Sequence, residues 1–137
     1  MADTVDHATR SRLMGRIRSL GTLPERQVRS LLHREGLRFR LNVEDMPGRP
    51  DIVLKRWRTV VFVHGCFWHR HRGCRLSYTP KTRVVFWKQK FAENTARDGR
   101  VAAQLRRRGW SVRVVWACSI TPARIRRLAS AIRGTAA

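Results

Sequence analysis

Acidic residues are scarce in this chain: nine Asp and Glu stand against thirty Lys and Arg, a formal net charge of +21 over 137 residues. Such a surplus repels itself in a compact fold and exists to meet a polyanion, which puts nucleic acid first and an anionic membrane surface second. Long apolar runs are missing too, and none approaches the ~20 residues of a spanning helix. The opening Met1-Ala2-Asp3-Thr4-Val5-Asp6-His7 lacks the basic-then-apolar pattern of a secretory signal, so the chain is expected in the cytoplasm. Cysteine is limited to three, an odd count that argues against a disulfide framework. Lysine is limited to Lys55, Lys81, Lys88 and Lys90. Codon bias in a GC-rich genome is one reading of arginine over lysine, but it does not explain the shortage of acids. Repeats, low-complexity segments and linker-like Pro/Gly/Ser stretches are absent, which leaves one domain over 1–137. Its 42% hydrophobic residues suffice for a core.

The pattern along the chain predicts the order α-β-β-β-α-β-α. Ala8 to Arg18 suits a short helix with a narrow apolar set at Leu13, Met14 and Ile17. Thr22-Leu23-Pro24-Glu25 reads as a capping box that opens a second helix, with Val28, Leu31 and Leu32 as its stripe and Gly36 as its stop. Leu37 to Leu41, Asp51 to Lys55 and Thr59 to Val63 read as strands, the last buried on both faces. His64 to Pro80 is irregular. Thr82 to Arg108 reads as a long helix, with candidate breaks at Asn94 or Gly99 and a stop at Gly109. Trp110 to Trp116 is a fourth strand, and Thr121-Pro122 opens a closing helix with Ile125, Leu128 and Ile132 on one face. A meander, a crossover helix and a returning strand predict a mixed sheet with helices on both faces, an order shared with restriction-endonuclease-like nucleases.

Several residues stand where chemistry needs them. Asp51 follows Pro50 at a strand start, where a carboxylate either holds a hard divalent cation beside a phosphodiester or caps a turn. Cys66, His71 and Cys74, with Cys118 past the fourth strand, form a Cys3His set for one tetrahedral zinc; the alternative is small buried hydrophobes. A saturated set of that kind is structural. His64 and His69 remain free, either as a general base oriented by Asp98 or as ordinary histidines. Phe67, Trp68 and Trp87 read equally as core or as wedges that open DNA, and the adjacent Phe67 and Trp68 are not expected both to point inward.

These residues carry a specific resemblance. Ala8-Thr9-Arg10-Ser11 with Met14, Pro47-Gly48-Arg49-Pro50-Asp51 and Phe62-Val63-His64-Gly65-Cys66-Phe67-Trp68-His69 make the chain similar to the very-short-patch-repair (Vsr) DNA mismatch endonucleases. Phe86-Trp87-x-x-Lys90, Asn94, Arg97-Asp98, Gly109-Trp110 and Val115-Trp116-x-Cys118 extend the likeness, from about residue 3 to 118. The resemblance implies a restriction-endonuclease-like mixed sheet flanked by helices, with a DNA-clamping helix over 1–20 and a nuclease core over 21–137. It implies magnesium-dependent nicking of one strand 5′ to the thymine of a T:G mismatch left by deaminated 5-methylcytosine.

Laid on this chain, Asp51 and the backbone carbonyl of Val63 would hold Mg2+. His69 would be the base, oriented by Asp98, with His64 as auxiliary. Cys66, His71, Cys74 and Cys118 would hold structural Zn2+. Phe67, Trp68 and Trp87 would intercalate, and Arg10, Met14 and Lys90 would bind DNA. The implied setting is a bacterial nucleoid, with a monomer acting on double-stranded DNA and mismatch-repair proteins as potential partners. Family members often have Thr at the position of Val63, and Gly73 is an extra residue between His71 and Cys74. Neither an acid nor a lysine follows Asp51 at Val61-Phe62-Val63, which fits a histidine-based nuclease. The rival readings are a zinc-stabilised DNA-binding module without catalysis and a restriction endonuclease that cuts both strands.

Overall fold

A four-stranded mixed sheet organises residues 22–135, which the computed structural model describes. The expected N-terminal helix, with Arg10 and Met14, lies outside the described residues. Helix α1 (Leu23–Arg34) leads into β1 (Arg40–Leu41), β2 (Ile52–Leu54) and β3 (Thr59–His64). Helix α2 (Val84–Arg107) then crosses to β4 (Ser111–Trp116), and α3 (Pro122–Arg133) closes the described chain. The sheet order is β1-β2-β3-β4, with β1/β2 and β2/β3 antiparallel and β3/β4 parallel. A parallel return needs a crossover, and α2 supplies it.

Period-two alternation divides the core between the two faces of the sheet. Ile52, Leu54, Val61 and Val115 meet Val28 and Leu32 of α1 and Ile125, Ala129 and Ile132 of α3. Val53, Val60 and Val112 face the other way, onto Val101 and Leu105 of α2. Thr59, Val60 and Val61 are fully buried, as the unbroken apolar run predicts for a strand covered on both faces.

Three local expectations need correction. The first strand is two residues long, because Leu37 is used by the end of α1. Gly36 takes φ +86°, Leu37 N–H reaches back to Leu32 C=O at 3.2 Å, and Gly36 N–H to His33 C=O at 3.0 Å. That Schellman closure spends the Leu37 amide a strand would need. Gly109 ends α2 the same way, through Trp110 N–H to Leu105 C=O at 3.0 Å, so β4 starts at Ser111. Second, α2 runs unbroken for 24 residues through Asn94 and Gly99. Third, Thr22 makes no side-chain cap; Glu25 turns inward instead, while Thr121 does cap α3 by accepting from Arg124 N–H at 3.2 Å.

Gly48 fits for a steric reason. It takes φ +73°, and a Cβ there would run into the side chain of Val101 on α2. The Pro47-Gly48-Arg49-Pro50 turn thus lies directly on the crossover helix and delivers Asp51 to the start of β2.

Candidate active site

Asp51 sits one residue before β2, where the antiparallel register brings it beside the end of β3. Val63 N–H donates to Asp51 Oδ2 at 2.6 Å. Burial pushes the carboxyl up to about 7; the Val63 hydrogen bond opposes that, and the charge of Glu25 adds to it, while His69 and Arg29 lower it. Glu25 is the residue that sequence reasoning missed. It is 6% exposed in the first turn of α1, pairs with Arg29 at 3.3 Å and lies within electrostatic reach of Asp51. An acid kept on the core-facing stripe of a helix, in a chain so poor in acids, was the available signal. Two carboxylates within electrostatic reach of one another are a poor arrangement without a cation and a good one with it.

The irregular segment after β3 carries the histidines. His69 Nδ1 lies 2.6 Å from Asp98 Oδ2 on α2. An ionised carboxylate only accepts, so this contact places a proton on Nδ1, and in the neutral ring it leaves Nε2 with the lone pair. The His64 and His69 rings stack with centroids 3.9 Å apart and planes 5° from parallel. Burial, reinforced by His69, lowers His64 to about 4 against the pull of Asp98, so His64 stays neutral at physiological pH. Ligand atoms of His64, His69 and Asp98 fall within 4.8 Å of one another. Parallel imidazoles cannot converge their lone pairs on one ion, however, and Nδ1 of His69 is already engaged. The geometry suits a histidine oriented by a carboxylate better than it suits a metal cage.

A second cluster lies alongside. One ligand atom each from Cys66, His71, Cys74 and Cys118 fall within 4.8 Å of one another. A tetrahedron with Zn–S of about 2.3 Å has corners roughly 3.8 Å apart, so three thiols and one imidazole fit a single zinc. His71 Nδ1 is 3.3 Å from Cys118 Sγ, across 47 residues of chain. Burial pushes the Cys66 thiol up to about 11, whereas the Ser119 hydroxyl beside Cys118 holds that thiol down. Gly73 takes φ +75° with open space around it, and Cys74 N–H reaches His71 C=O at 3.2 Å, so the turn between the two candidate ligands keeps them together.

The aromatics do not divide as expected. Phe67 and Trp68 both pack inward, with centroids 5.3 Å apart, against Trp87 and Phe91. Trp68 is 6% exposed and Trp87 7%. An irregular loop can bury two adjacent rings because Arg70, at φ +55°, reverses the chain behind them. Its guanidinium donates to Phe67 C=O, Tyr78 C=O, Ser77 C=O and Thr79 Oγ1 at 2.9–3.3 Å and lies 3.9 Å above the Phe91 ring. Asn94, buried in α2, donates to Trp68 C=O at 3.4 Å. Lys90 is half-buried on the same helix.

A family model described as "DNA mismatch endonuclease Vsr" matches residues 2–75. The type II nicking enzyme V.XorIIP of Xanthomonas oryzae pv. oryzae is 50% identical over 121 residues, 88% of either chain. The DNA mismatch endonuclease Vsr of Escherichia coli K12 is 45% identical over 120 residues, 88% of this chain and 76% of that protein. The type II nicking enzyme V.NmeAIP of Neisseria meningitidis is 41% identical over 120 residues, 88% and 85% respectively.

Proposed function

The chain belongs to the Vsr DNA mismatch endonuclease family and is a DNA endonuclease, and from that premise we propose that it nicks one strand 5′ to the thymine of a T:G mismatch, with Mg2+ at Asp51 and a structural Zn2+ on the Cys3His set. The observation that carries this reading is the 2.6 Å pairing of His69 with Asp98 near a half-buried Asp51 that accepts from Val63 N–H.

Asp51 would hold the catalytic ion. A strand residue presents its N–H and C=O to the same neighbour, so the Val63 carbonyl is the natural second ligand beside the N–H that reaches Asp51. A divalent cation held by these groups would supply polarisation of the scissile phosphate and offset its developing charge. Asp98 fixes the tautomer of His69, whose Nε2 takes the proton from the attacking water. His64, held neutral by burial, keeps a second positive charge away from His69 as that proton arrives. The Cys3His set pins the segment carrying His69 to the end of β4.

Mismatch discrimination is assigned to Phe67, Trp68 and Trp87, which lie stowed in the aromatic cluster of the DNA-free chain. A T:G pair stacks more weakly than a matched pair, which lowers the cost of inserting an apolar wedge. Arg10, Met14 and Lys90 would hold the duplex, and the +21 surface would supply its sequence-independent affinity. A lesion on one strand has no two-fold symmetry, so the acting species is a monomer in the bacterial cytoplasm, with mismatch-repair proteins as candidate partners.

The test is strand-resolved cleavage of T:G and matched duplexes in Mg2+. Cleavage of the thymine strand of the mismatch alone is expected; cutting of both strands of matched DNA would return the restriction-endonuclease reading. Asp51→Ala should abolish nicking with mismatch binding retained, and His69→Ala should slow it by at least ~100-fold.

A further inference from the structure

Trp116 closes β4 in parallel register with His64. Its ring stacks on His71 at 4.3 Å with planes 10° apart, and meets His64 edge to face at 5.3 Å and 73°. One half-buried indole therefore separates the zinc-ligand cluster from the histidine pair, touching a member of each. Among the described residues, the ring contacts of His64 are aromatic: Phe62 at 5.8 Å, His69 and Trp116. An imidazole plane turns in a broad torsional well unless its neighbours hold it. Stacked and edge-to-face contacts of this kind suffice to select one orientation.

We propose that Trp116 is a positioning residue for the nicking reaction: braced on His71, it sets the plane of His64, which in turn holds the His69 ring on Asp98. The proposal rests on the reading of His69 as the base. It gives the Cys3His set a role beyond stabilising the loop. His71 is held by the cluster through Nδ1 on one side and presents its ring face to Trp116. The chain of contacts then continues through His64 to His69, whose Nδ1 is 2.6 Å from Asp98. Displacing a catalytic group by about 1 Å costs on the order of 100-fold in rate, so modest contacts have a large readout.

The experiment uses the full chain with its zinc content measured, and compares Trp116→Leu, Trp116→Phe, His71→Cys and the Trp116→Leu/His71→Cys double variant. His71→Cys keeps four metal ligands and removes the stacked ring. Two readouts are taken: single-turnover nicking of preformed mismatch complexes, and the low-field Nδ1–H proton resonance of His69 in the DNA-free protein. That resonance stays sharp only while the bond to Asp98 holds, and His69 is one ring removed from Trp116. Trp116→Leu should slow the bound complex about 10- to 100-fold and broaden the resonance, with zinc retained. Trp116→Phe should recover part of both. His71→Cys should have a similar effect, and the double variant should be no slower than the worse single, the signature of residues acting through one another.

Effects that multiply in the double variant overturn the proposal. So does a slowed rate with an unchanged His69 resonance, or a native rate in Trp116→Leu. Should Trp116→Leu not fold, Trp116→Phe is read the same way, and a native rate with a native resonance overturns it. A wild-type chain without nicking activity would defeat the His69 reading alone, because the resonance still reports whether Trp116 orients the pair.

Discussion

Raising the pH from 6 to 8 should strengthen Mg2+ binding at Asp51 about tenfold, or about 1.4 kcal/mol. Burial holds the Asp51 carboxyl up at about 7 in the metal-free chain, while a hard cation binds only the carboxylate. With that value, roughly one-tenth of the groups are ionised at pH 6 and roughly nine-tenths at pH 8. Binding should therefore release about 0.9 proton per ion at pH 6 and about 0.1 at pH 8. Calorimetric titrations in two buffers of different ionisation heat read both the affinity and the proton count. Asp51→Asn should lose the pH-dependent component.

The same shift acts on folding. Between pH 3.8 and about 7 the folded chain keeps a proton that the unfolded chain has released, so stability falls as the pH rises through that window. At about 1.4 kcal/mol per unit the loss is on the order of 4 kcal/mol, complete above about pH 7 and absent below about pH 4. Asp51→Asn should recover much of it at pH 8 and little at pH 4, less whatever Val63 N–H loses in exchanging a charged acceptor for a neutral one. An affinity flat from pH 6 to 8, with no proton released at pH 6, refutes the reasoning.

Elemental analysis should find one zinc per chain that magnesium does not displace, and Cys118→Ser should lower the melting temperature more than it slows the chemical step, because that ligand ties loop to sheet; well under one equivalent counts against the assignment. Trp68→Ala should lower stability by about 3–5 kcal/mol, since the ring is buried in the DNA-free chain. It should also weaken discrimination between T:G and matched duplex by about 1–3 kcal/mol in titrations at fixed salt. A melt that drops while discrimination stays intact would leave the ring as core alone. Gly48→Ala should cost about 1–3 kcal/mol in denaturant titrations, because the new methyl meets Val101 in a left-handed backbone; native stability would show that the turn does not lie on α2.

Much of this protein is legible without coordinates, for reasons local to the chain. The charge imbalance identifies a polyanion as partner, because no other common ligand calls for +21. The unbroken apolar runs Ile52-Val53-Leu54 and Val60-Val61-Phe62-Val63 prescribe strands covered on both faces, and glycines at 36 and 109 end helices by adopting a backbone other residues avoid. The Cys, His and Asp candidates could be named because so few groups in the chain do metal or proton chemistry.

Only the tertiary structure decided how those groups meet. Glu25 comes within electrostatic reach of Asp51 because α1 packs its buried stripe against the sheet, and nothing local separates that placement from a helix cap. Phe67 and Trp68 both turn inward because Arg70 gathers the carbonyls of Phe67, Ser77 and Tyr78 from two stretches of loop. Trp116 meets His64 because β3 and β4 pair in parallel, and a shift of one residue in that register would send the indole to the opposite face. The Glu25 and Trp116 contacts join positions tens of residues apart. Their partners are set by register and packing, which no short window of sequence contains.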